Sequence, residues 1–570
     1  MGVGLLALAA LAVGADWRVW TLTETRRVLR EEPAGEGLEV RLFAARNEWE
    51  GFQILMRSEE PVKGVNLQAD DLQGPGGAII DSSHAQLFRQ HQFYLDVGTY
   101  RNDKFQPGWY PDPLIPFVHP LTGKPLQGGR LQAVPFDLPP GETHGFWVDL
   151  YVPPDAQAGL YRGTYRVTAE GKEAIEIPVL LTVWDFTLPQ VSTLQTALGS
   201  PAERMRGYYR ERAKAGKEPE PQDWAEVDIQ CAEMLTQHRI NASPPPGTLV
   251  LEEQPDGSFR LPEEKLRRLR EFVDRYHVNA LQVPHPSSVV KDPQTQRERL
   301  YAWLRGWDRV AAELNRPFIT FYTYLKDEPN TAEDYRYVQT WGRILREAKS
   351  VVKVLVVEQP WTAPGMPGAD SAWGDLYGAV DIWCPLFSLF RPEPAAQRQA
   401  LGETIWAYTA LCQGEPTPWW HIDYPLLNYR VPAWIAWRYR IRGLLYWGGM
   451  SYWREVEDPW KEAPFYTGRG GLQTGRKGRI FWGEGSLVYP ARAVGYEGIV
   501  PSLRLKALRD GIEDYEYLAI LERLGLAEEA EKVVLPLAES WFRWDPRPAA
   551  YQAARARLAE MVMAAARREG

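Results

Sequence analysis

Cysteine is scarce in this chain, which has three cysteines in 570 residues, at Cys231, Cys384 and Cys412. Three widely spaced thiols form neither a disulfide framework nor a Cys-x-x-Cys metal site, so we predict three free, buried thiols. Blocks of Lys or Arg are absent and the formal charge is −9, which argues against nucleic acid as a partner. We predict no cofactor and no metal.

Long apolar runs are also lacking, except for a continuous run at residues 2–15 that is too short to span a bilayer. The small residues Val13 and Ala15 suit signal-peptide cleavage before Asp16, although no Lys or Arg precedes the run. We therefore predict a signal-like segment at 1–15, an exported protein (periplasmic or extracellular) and no stable membrane span. An incorrectly assigned start and a buried N-terminal segment are the alternatives.

Aromatic residues, in contrast, are abundant, with 24 Trp and 27 Tyr. Their flat, amphipathic rings either stack on sugar faces or add mass to cores and interfaces. Alone, the surplus therefore favours a carbohydrate partner only weakly. A chain of this length is too long for a single core, so two or three domains are expected.

Residues 16–188 show an all-β pattern, which predicts a β-sandwich. Short runs with period-two alternation predict the strands, and Glu170-Gly171 marks a hairpin turn. An aromatic, proline-rich loop at Tyr100–Phe117 is predicted to pack on the next domain or, alternatively, to line the mouth of a site. The predicted strands are Leu38–Phe43, Phe52–Met56, Phe146–Val152, Tyr161–Thr168 and Ile175–Val183.

Residues 189–525 alternate between strand and helix patterns, which predicts a parallel sheet. Eight such units that close on themselves form a (β/α)8 TIM-type barrel. Its last helix is predicted at Pro501–Leu524, and residues 526–570 form a C-terminal helical extension. The eight predicted strands are Thr193–Leu198, Arg239–Ala242, Ala280–Val283, Phe318–Leu325, Val351–Val357, Val380–Pro385, Thr404–Thr409 and Gly443–Trp447.

Two adjacent carboxylates, Asp327 and Glu328, end the fourth predicted barrel strand and precede Pro329. Barrels place their chemistry at the carboxyl ends of their strands, so we predict that the two acids form the catalytic pair of a glycoside hydrolase. Strand alternation relaxes at the terminus, which allows both to face one pocket. The better-buried acid should then hold its proton near neutral pH. Alternatively, Asp327 caps the next helix and Glu328 pairs with Lys326.

The adjacency of the two acids favours one mechanism. A nucleophile and an acid on either side of the bond lie about 5–5.5 Å apart, generally on different strands, and the seventh strand offers no carboxylate before Glu415. Neighbouring acids instead suit substrate-assisted catalysis, in which the sugar's 2-acetamido oxygen attacks the anomeric carbon. Asp327 would orient the amide and Glu328 would serve as acid and base. If this mechanism does not apply, Glu358 is the alternative nucleophile.

Residues at and after the barrel strands are candidates for binding sugar, although each aromatic among them could equally be a packing residue. His421 and Asp423 could also form a metal pair, but no third ligand has suitable spacing. The candidates are Tyr322, Tyr324, Glu358, Trp361, Trp383, His421, Asp423, Tyr424, Trp447 and Trp453.

The Asp327-Glu328-Pro329 strand end resembles glycoside hydrolase family 123 and its relatives in domain-of-unknown-function family 4091. Three further segments share the resemblance: AARNEWEGFQI (Ala44–Ile54), GEGSLVYP (Gly483–Pro490) and PSLRLKALRDGIEDYEYL (Pro501–Leu518). The resemblance implies a β-sandwich plus catalytic barrel and a retaining β-N-acetylgalactosaminidase with an oxazoline intermediate, in which Asp327 stabilises the intermediate and Glu328 is the acid/base. Arg509, Asp510 and Asp514 in the last segment are equally consistent with an ion-paired helix surface.

Three functions are therefore compared. The leading hypothesis is an exo-acting β-N-acetylhexosaminidase, N-acetylgalactosaminidase-like, whose partner is a glycan or glycoconjugate. The second is a glycosidase on sugars without an acetamido group, with Glu358 as nucleophile. The third is a non-catalytic carbohydrate-binding surface protein with a degenerate barrel, in which an intact carboxylate pair would be unexpected.

Overall fold

A computed structural model describes residues 17–360, 373–467 and 479–569 of the chain. The signal-like segment at 1–15 and Trp361 lie outside the described residues. Within the described part of the chain, each helix is too short or too polar to cross a membrane.

Two β-sheets form the N-terminal part. One has the strand order β1-β3-β10-β7-β8, and the other has the order β2-β12-β11-β4-β9, with the short strand β5 paired with β11 and β6 paired with β5. The strands are β1 (Trp17–Thr23), β2 (Val40–Arg46), β3 (Glu48–Ser58), β4 (Val62–Ala69), β5 (Leu72–Gln73), β6 (Ile79–Ile80), β7 (Ala85–Leu95), β8 (Gly108–Pro116), β9 (Phe136–Leu138), β10 (Thr143–Val152), β11 (Gly159–Thr168) and β12 (Ile175–Thr187).

The two sheets share one hydrophobic core, as the sandwich prediction requires. In β12, Ile177, Val179, Leu181 and Val183 are buried at alternate positions, and they pack against residues of the facing sheet such as Ile54. This alternation follows from the pleat, which turns successive side chains to opposite faces.

The segment at Tyr100–Phe117, predicted to be a loop, contains a strand. Its second half forms β8, which pairs with β7 at the edge of the first sheet. Asp112 of β8 accepts hydrogen bonds from Arg504 (Nε–Oδ1 2.9 Å) and from Tyr489 (Oη–Oδ2 2.6 Å) in the C-terminal part of the chain. The segment therefore packs on the second domain. The prolines of this segment argue against a strand in the sequence, but an edge strand tolerates proline.

Strands and helices alternate from residue 195 onwards. The strands are β13 (Gln195–Ala197), β14 (Glu252–Glu253), β15 (Phe259–Arg260), β16 (Ala280–Val283), β17 (Thr320–Lys326), β18 (Lys353–Val356), β19 (Ile382–Trp383), β20 (Thr404–Tyr408), β21 (Gly443–Leu445), β22 (Phe465–Thr467), β23 (Ile480–Trp482), β24 (Val488–Pro490), β25 (Ile499–Pro501), β26 (Ala538–Ser540) and β27 (Arg543–Trp544). The helices are α1 (Pro201–Lys214), α2 (Trp224–Gln237), α3 (Glu263–Tyr276), α4 (Arg297–Leu314), α5 (Ala332–Glu347), α6 (Pro392–Ala400), α7 (Leu427–Arg438), α8 (Leu503–Arg523), α9 (Ala527–Val534) and α10 (Pro548–Glu569).

Seven of these strands form a nearly closed parallel barrel, in the order β13-β21-β20-β19-β18-β17-β16. The prediction of eight strands needs correction, because Arg239–Ala242 is not a strand in the described structure. Side chains close the seam between β13 and β16 instead. Asn241 Nδ2 donates to the Thr196 carbonyl (3.0 Å) and to Asn279 Oδ1 (2.7 Å). In return, the backbone N–H of Asn279 donates to Asn241 Oδ1 (2.9 Å).

Helix α8 lies between the barrel and the N-terminal sheets and is buried on almost all sides. The alternative of an ion-paired helix surface is right about the ion pairs but wrong about the surface, because Arg509, Asp510 and Asp514 are at most 3% exposed. Arg509 binds Asp149 of β10 through two hydrogen bonds (2.7 and 2.9 Å). Buried charges require such partners. The partner of Arg509 comes from the N-terminal sheets, whereas Asp514 is paired with Arg430 of α7 (2.6 Å).

Cys231 and Cys384 are buried, as predicted, whereas Cys412 is exposed. Cys412 lies in the turn that follows β20, at the end of the barrel where Asp327 and Glu328 also lie. The prediction of three buried thiols therefore holds for two of them.

Candidate active site

Asp327 and Glu328 follow directly after β17, where the strand geometry breaks. The register between β17 and β18 shifts between Tyr324 and Lys326, and Glu328 has a φ of +36°. A positive φ is uncommon for a residue with a side chain, and such strain is concentrated at functional sites. Because the regular alternation ends here, the two neighbouring side chains reach different surroundings.

Asp327 lines a cavity of about 870 Å³ at the carboxyl ends of the barrel strands. The Tyr324 hydroxyl donates a 2.8 Å hydrogen bond to Asp327 Oδ1. Burial, together with the neighbouring charge of Asp327, raises the pKa of Tyr324, so the tyrosine remains a donor. Asp327 is therefore held in a fixed orientation as an acceptor at the cavity wall.

Glu328 is exposed and is held by a different strand. The Tyr408 hydroxyl, at the end of β20, donates a 2.5 Å hydrogen bond to Glu328 Oε1. Burial and the charge of Glu328 raise the pKa of Tyr408, which keeps that hydroxyl protonated. Glu328 does not line the 870 Å³ cavity, so of the two acids predicted to face one pocket only Asp327 lines it. The two acids are held by tyrosines of different strands, Tyr324 and Tyr408.

The alternative roles considered for the two acids belong to other residues. Thr331 caps α5 by accepting a hydrogen bond from the Asp334 amide, and Lys326 forms an ion pair with Asp334 (2.6 Å). Asp327 and Glu328 are therefore not engaged as helix cap or as partner of Lys326.

Glu358 follows β18 and is 9% exposed. Its carboxylate accepts hydrogen bonds from the Gln359 amide (2.9 Å) and from the Tyr335 hydroxyl (3.2 Å). Burial, with a smaller contribution from the charge of Glu328, raises the pKa of Glu358 to about 7. Both oxygens of Glu358 are thus engaged by neighbouring donors, and Glu358 does not line the cavity.

Four further candidates from the sequence line the cavity. Tyr322 and Tyr324 come from β17, Trp447 follows β21, and Trp453 lies a few residues later. Helix α1 forms part of the cavity wall through Glu203, Arg204, Tyr208 and Glu211. The cavity therefore combines aromatic rings with polar groups, which is typical of sugar sites.

Strand alternation places Trp383 away from the cavity. Its neighbour Ile382 packs inside the barrel, whereas the Trp383 indole packs in the outer core and donates to Glu403 (2.7 Å). Asp423 is held by the Thr99 amide (2.7 Å) and by Asn102 Nδ2 (2.9 Å) of the N-terminal part. Neither residue lines the cavity.

His421 and Tyr424 are buried in an aromatic cluster with Trp419 and Phe481. Burial lowers the pKa of His421 well below its usual range. Neither side chain lines the cavity, so direct contact with a ligand there is not supported by their positions.

Sequence reasoning missed two residues of this region. Tyr408 could have been found from strand alternation, because it shares its face of β20 with Trp406, which packs inside the barrel. Glu484, in the GEGSLVYP segment, accepts a hydrogen bond from the Trp447 indole. Nothing in the local sequence pattern indicates that partner, which lies 37 residues earlier in the chain.

Adjacent carboxylates at the end of a barrel strand, beside a cavity that can hold a sugar, are the arrangement of a glycoside hydrolase. Two family models match the chain and identify the family within this class. The glycoside hydrolase 123 N-terminal domain matches residues 20–169, and the glycoside hydrolase 123 catalytic domain matches residues 276–521. The chain belongs to glycoside hydrolase family 123.

A solved structure shares this fold. A family 123 glycoside hydrolase from Clostridium perfringens, studied for its glycolipid glycan hydrolysis, superposes with a TM-score of 0.66 at 14% identity, covering 97% of this chain and 98% of that one. A family 39 glycoside hydrolase from Bacteroides cellulosilyticus WH2 has a TM-score of only 0.30 at 8% identity, covering 82% of this chain and 81% of that one. The search of curated proteins finds no match.

Proposed function

We propose that this family 123 enzyme is a retaining exo-β-N-acetylhexosaminidase, N-acetylgalactosaminidase-like, that works by substrate-assisted catalysis. The observation that carries the proposal is the separate orientation of two adjacent acids. Asp327 faces the cavity as an acceptor fixed by Tyr324, and Glu328 is held by Tyr408. One acid can thus bind a group of the sugar while the other transfers protons.

In the first step, the acetamido oxygen of the sugar attacks the anomeric carbon while the bond from that carbon to the leaving oxygen breaks. Glu328 gives its proton to the leaving oxygen. Asp327 accepts the hydrogen bond of the acetamido N–H and stabilises the positive charge of the oxazolinium ion. In the second step, Glu328 removes a proton from water while the water oxygen attacks the anomeric carbon. The bond from that carbon to the acetamido oxygen breaks, which opens the oxazolinium ring with net retention at the anomeric carbon.

The second candidate, a glycosidase that uses Glu358 as nucleophile on sugars without an acetamido group, has less support. Glu358 is nearly buried, its oxygens are occupied by Gln359 and Tyr335, and its pKa is raised to about 7. By contrast, both oxygens of Asp327 belong to an exposed carboxylate at the cavity.

The test compares an aryl 2-acetamido-2-deoxy-β-galactoside with the matching 2-hydroxy galactoside. We expect hydrolysis of the acetamido sugar only, and loss of activity by about 10²–10⁴-fold in Asp327→Asn and Glu328→Gln. Asp256→Asn, in the exposed turn between β14 and β15, is the matched control and should retain activity. Since the Clostridium perfringens enzyme hydrolyses glycolipid glycans, a glycolipid oligosaccharide with terminal N-acetylgalactosamine is the natural third substrate. Activity on the hydroxy sugar alone would contradict the proposal.

A further inference from the structure

The GEGSLVYP segment passes directly behind one wall of the cavity. Glu484, its second residue, is 1% exposed. One carboxyl oxygen of Glu484 accepts a hydrogen bond from the indole nitrogen of Trp447. Trp447 is half-buried and lines the same cavity as Asp327, whereas Glu484 does not line it. The acid therefore touches the wall of the site from behind.

The backbone around Glu484 is shaped to bring the acid to Trp447. Gly483 and Gly485 both have a left-handed φ, +75° and +73°, which glycine adopts without steric cost. A side chain at Gly485 would come within 3.0 Å of the Trp447 ring, and one at Gly483 would come within 2.6 Å of Arg504. Gly485 therefore permits the close packing of this segment against the indole, and Gly483 permits its close packing against Arg504.

A second buried group lies on the far side of Glu484. His421 Nδ1 lies 3.5 Å from Glu484 Oε2, and in the described residues this oxygen and both nitrogens of the His421 ring make no hydrogen bond. Burial raises the pKa of Glu484 to about 8 and lowers that of His421 well below its usual range. These pKa shifts favour the protonated form of Glu484 and the neutral form of His421 at neutral pH. The buried guanidinium beside them, Arg504, is paired with Asp112.

We propose that Glu484 is a positioning residue that fixes the indole of Trp447 as the wall of the sugar cavity. Because its N–H is engaged by Glu484, the indole offers the ligand its ring face and carbon edge, which suit stacking on a sugar. Glu484 acts only through Trp447, with His421 packed behind it. The inference rests on the proposed function, since it places a sugar in the cavity.

A double-mutant cycle on the acetamido aryl glycoside tests this role. Glu484→Gln keeps a neutral acceptor and should retain wild-type kinetics. Glu484→Leu and Trp447→Phe should each raise KM by about three- to tenfold, the range of an aromatic contact, with a smaller effect on kcat. In the Trp447→Phe background, Glu484→Leu should have no further effect, because it acts through the residue already removed. Equal losses in both backgrounds, or a Glu484→Gln enzyme as impaired as Glu484→Leu, would overturn the proposal.

A second measurement is independent of activity. In protein labelled with 5-fluorotryptophan, the ¹⁹F resonance lost in Trp447→Phe identifies Trp447. That resonance should shift on addition of N-acetylgalactosamine and should move with pH near 8 in the wild type but not in Glu484→Gln. The other titratable groups facing Glu484 keep their protonation state in this range. These are His421, with a lowered pKa, and Tyr446, Cys412 and Arg504, each with a raised pKa.

The two measurements separate the possible failures. A wild-type enzyme that hydrolyses no glycoside defeats the proposed function, while the Trp447 resonance still tests the contact with Glu484. A resonance that is insensitive both to pH and to Glu484→Gln overturns the positioning role, whatever the activity. Because Glu484→Gln preserves the size and the neutral state of the side chain, this arm does not depend on whether Glu484→Leu folds.

Discussion

Tyr408 and Glu328 are joined by a 2.5 Å hydrogen bond that spans the barrel end, from β20 to the second residue after β17. Strands β18 and β19 lie between them in the sheet. Glu328 also has a positive φ, so its backbone directs the side chain away from the path that the strand would give it. The position of the proposed acid/base is therefore set jointly by a strained backbone and by a hydroxyl from a distant strand.

We expect Tyr408→Phe to lower kcat by about ten- to a hundredfold, because a hydrogen bond to a charged group is worth about 1.5–3 kcal/mol and Glu328 loses the hydroxyl that holds its carboxylate. KM should change little, since Tyr408 does not line the cavity. Steady-state kinetics on the acetamido aryl glycoside measure both values. Tyr94→Phe, at an exposed tyrosine of β7, is the control. A Tyr408→Phe enzyme with wild-type kcat would contradict the assigned role.

The strand patterns of the sequence predict seven barrel strands and the position of Asp327 and Glu328 after one of them, because these features depend on local alternation. The remaining predicted strand, Arg239–Ala242, has a strand-like composition, but this segment forms its hydrogen bonds to the barrel through the side chain of Asn241. Composition alone does not show whether such a short segment forms a strand or only contributes side-chain hydrogen bonds.

The residues that sequence reasoning misplaced depend on partners far away in the chain. Arg509 is buried because Asp149, 360 residues earlier, receives it. Asp423 is held by Thr99, 324 residues earlier, so its carboxylate joins the two domains. Neither a charged residue on a helix nor a polar residue in a loop carries a local signal that identifies such a distant partner.

The stability of the protein should depend on the protonation of Glu358. Its pKa is raised from 4.5 to about 7, chiefly by burial, so the folded state favours the protonated acid. The resulting stabilisation, on the order of 3 kcal/mol, is fully present below pH 4.5 and is lost as the pH rises through 7. We expect Glu358→Gln to lose less stability than the wild type between pH 5 and 7.5 in urea unfolding.

The control for Glu358 is Glu393→Gln, in the exposed first turn of α6, which should follow the wild-type pH dependence. If Glu358→Gln and the wild type lose the same stability over this pH range, Glu358 is already ionised in the folded protein. That result would also restore Glu358 as a candidate nucleophile.

The seam between β13 and β16 should be sensitive to Asn279. Its side chain donates to the carbonyls of Ser192 (2.5 Å) and Leu194 (3.2 Å), and its backbone N–H donates to Asn241 Oδ1 (2.9 Å). We expect Asn279→Ala to cost on the order of 2–4 kcal/mol, since buried carbonyls then lose their partners. The midpoint of urea unfolding measures the loss. Asn66→Ala, whose side-chain oxygen accepts from the next residue's amide, should have a small effect, and an equal effect of both changes would argue against a side-chain closure.

Asp149 should contribute more to stability than any exposed ion pair, because it is the buried partner of two cations from α8. It accepts from Lys506 Nζ (2.6 Å) and from both terminal nitrogens of Arg509. Burial opposes its ionisation, but Arg509 and Lys506 hold the pKa of Asp149 below its usual range. Asp149→Asn removes the counter-charge of buried Lys506 and leaves buried Arg509 with Asp510 (3.1 Å) as its nearest acid, so we expect a loss of about 3–5 kcal/mol in urea unfolding. Glu264→Gln, in an ion pair on the exposed face of α3, should leave the midpoint nearly unchanged. Similar midpoints for the two variants would show that the interface between the domains does not depend on this buried charge.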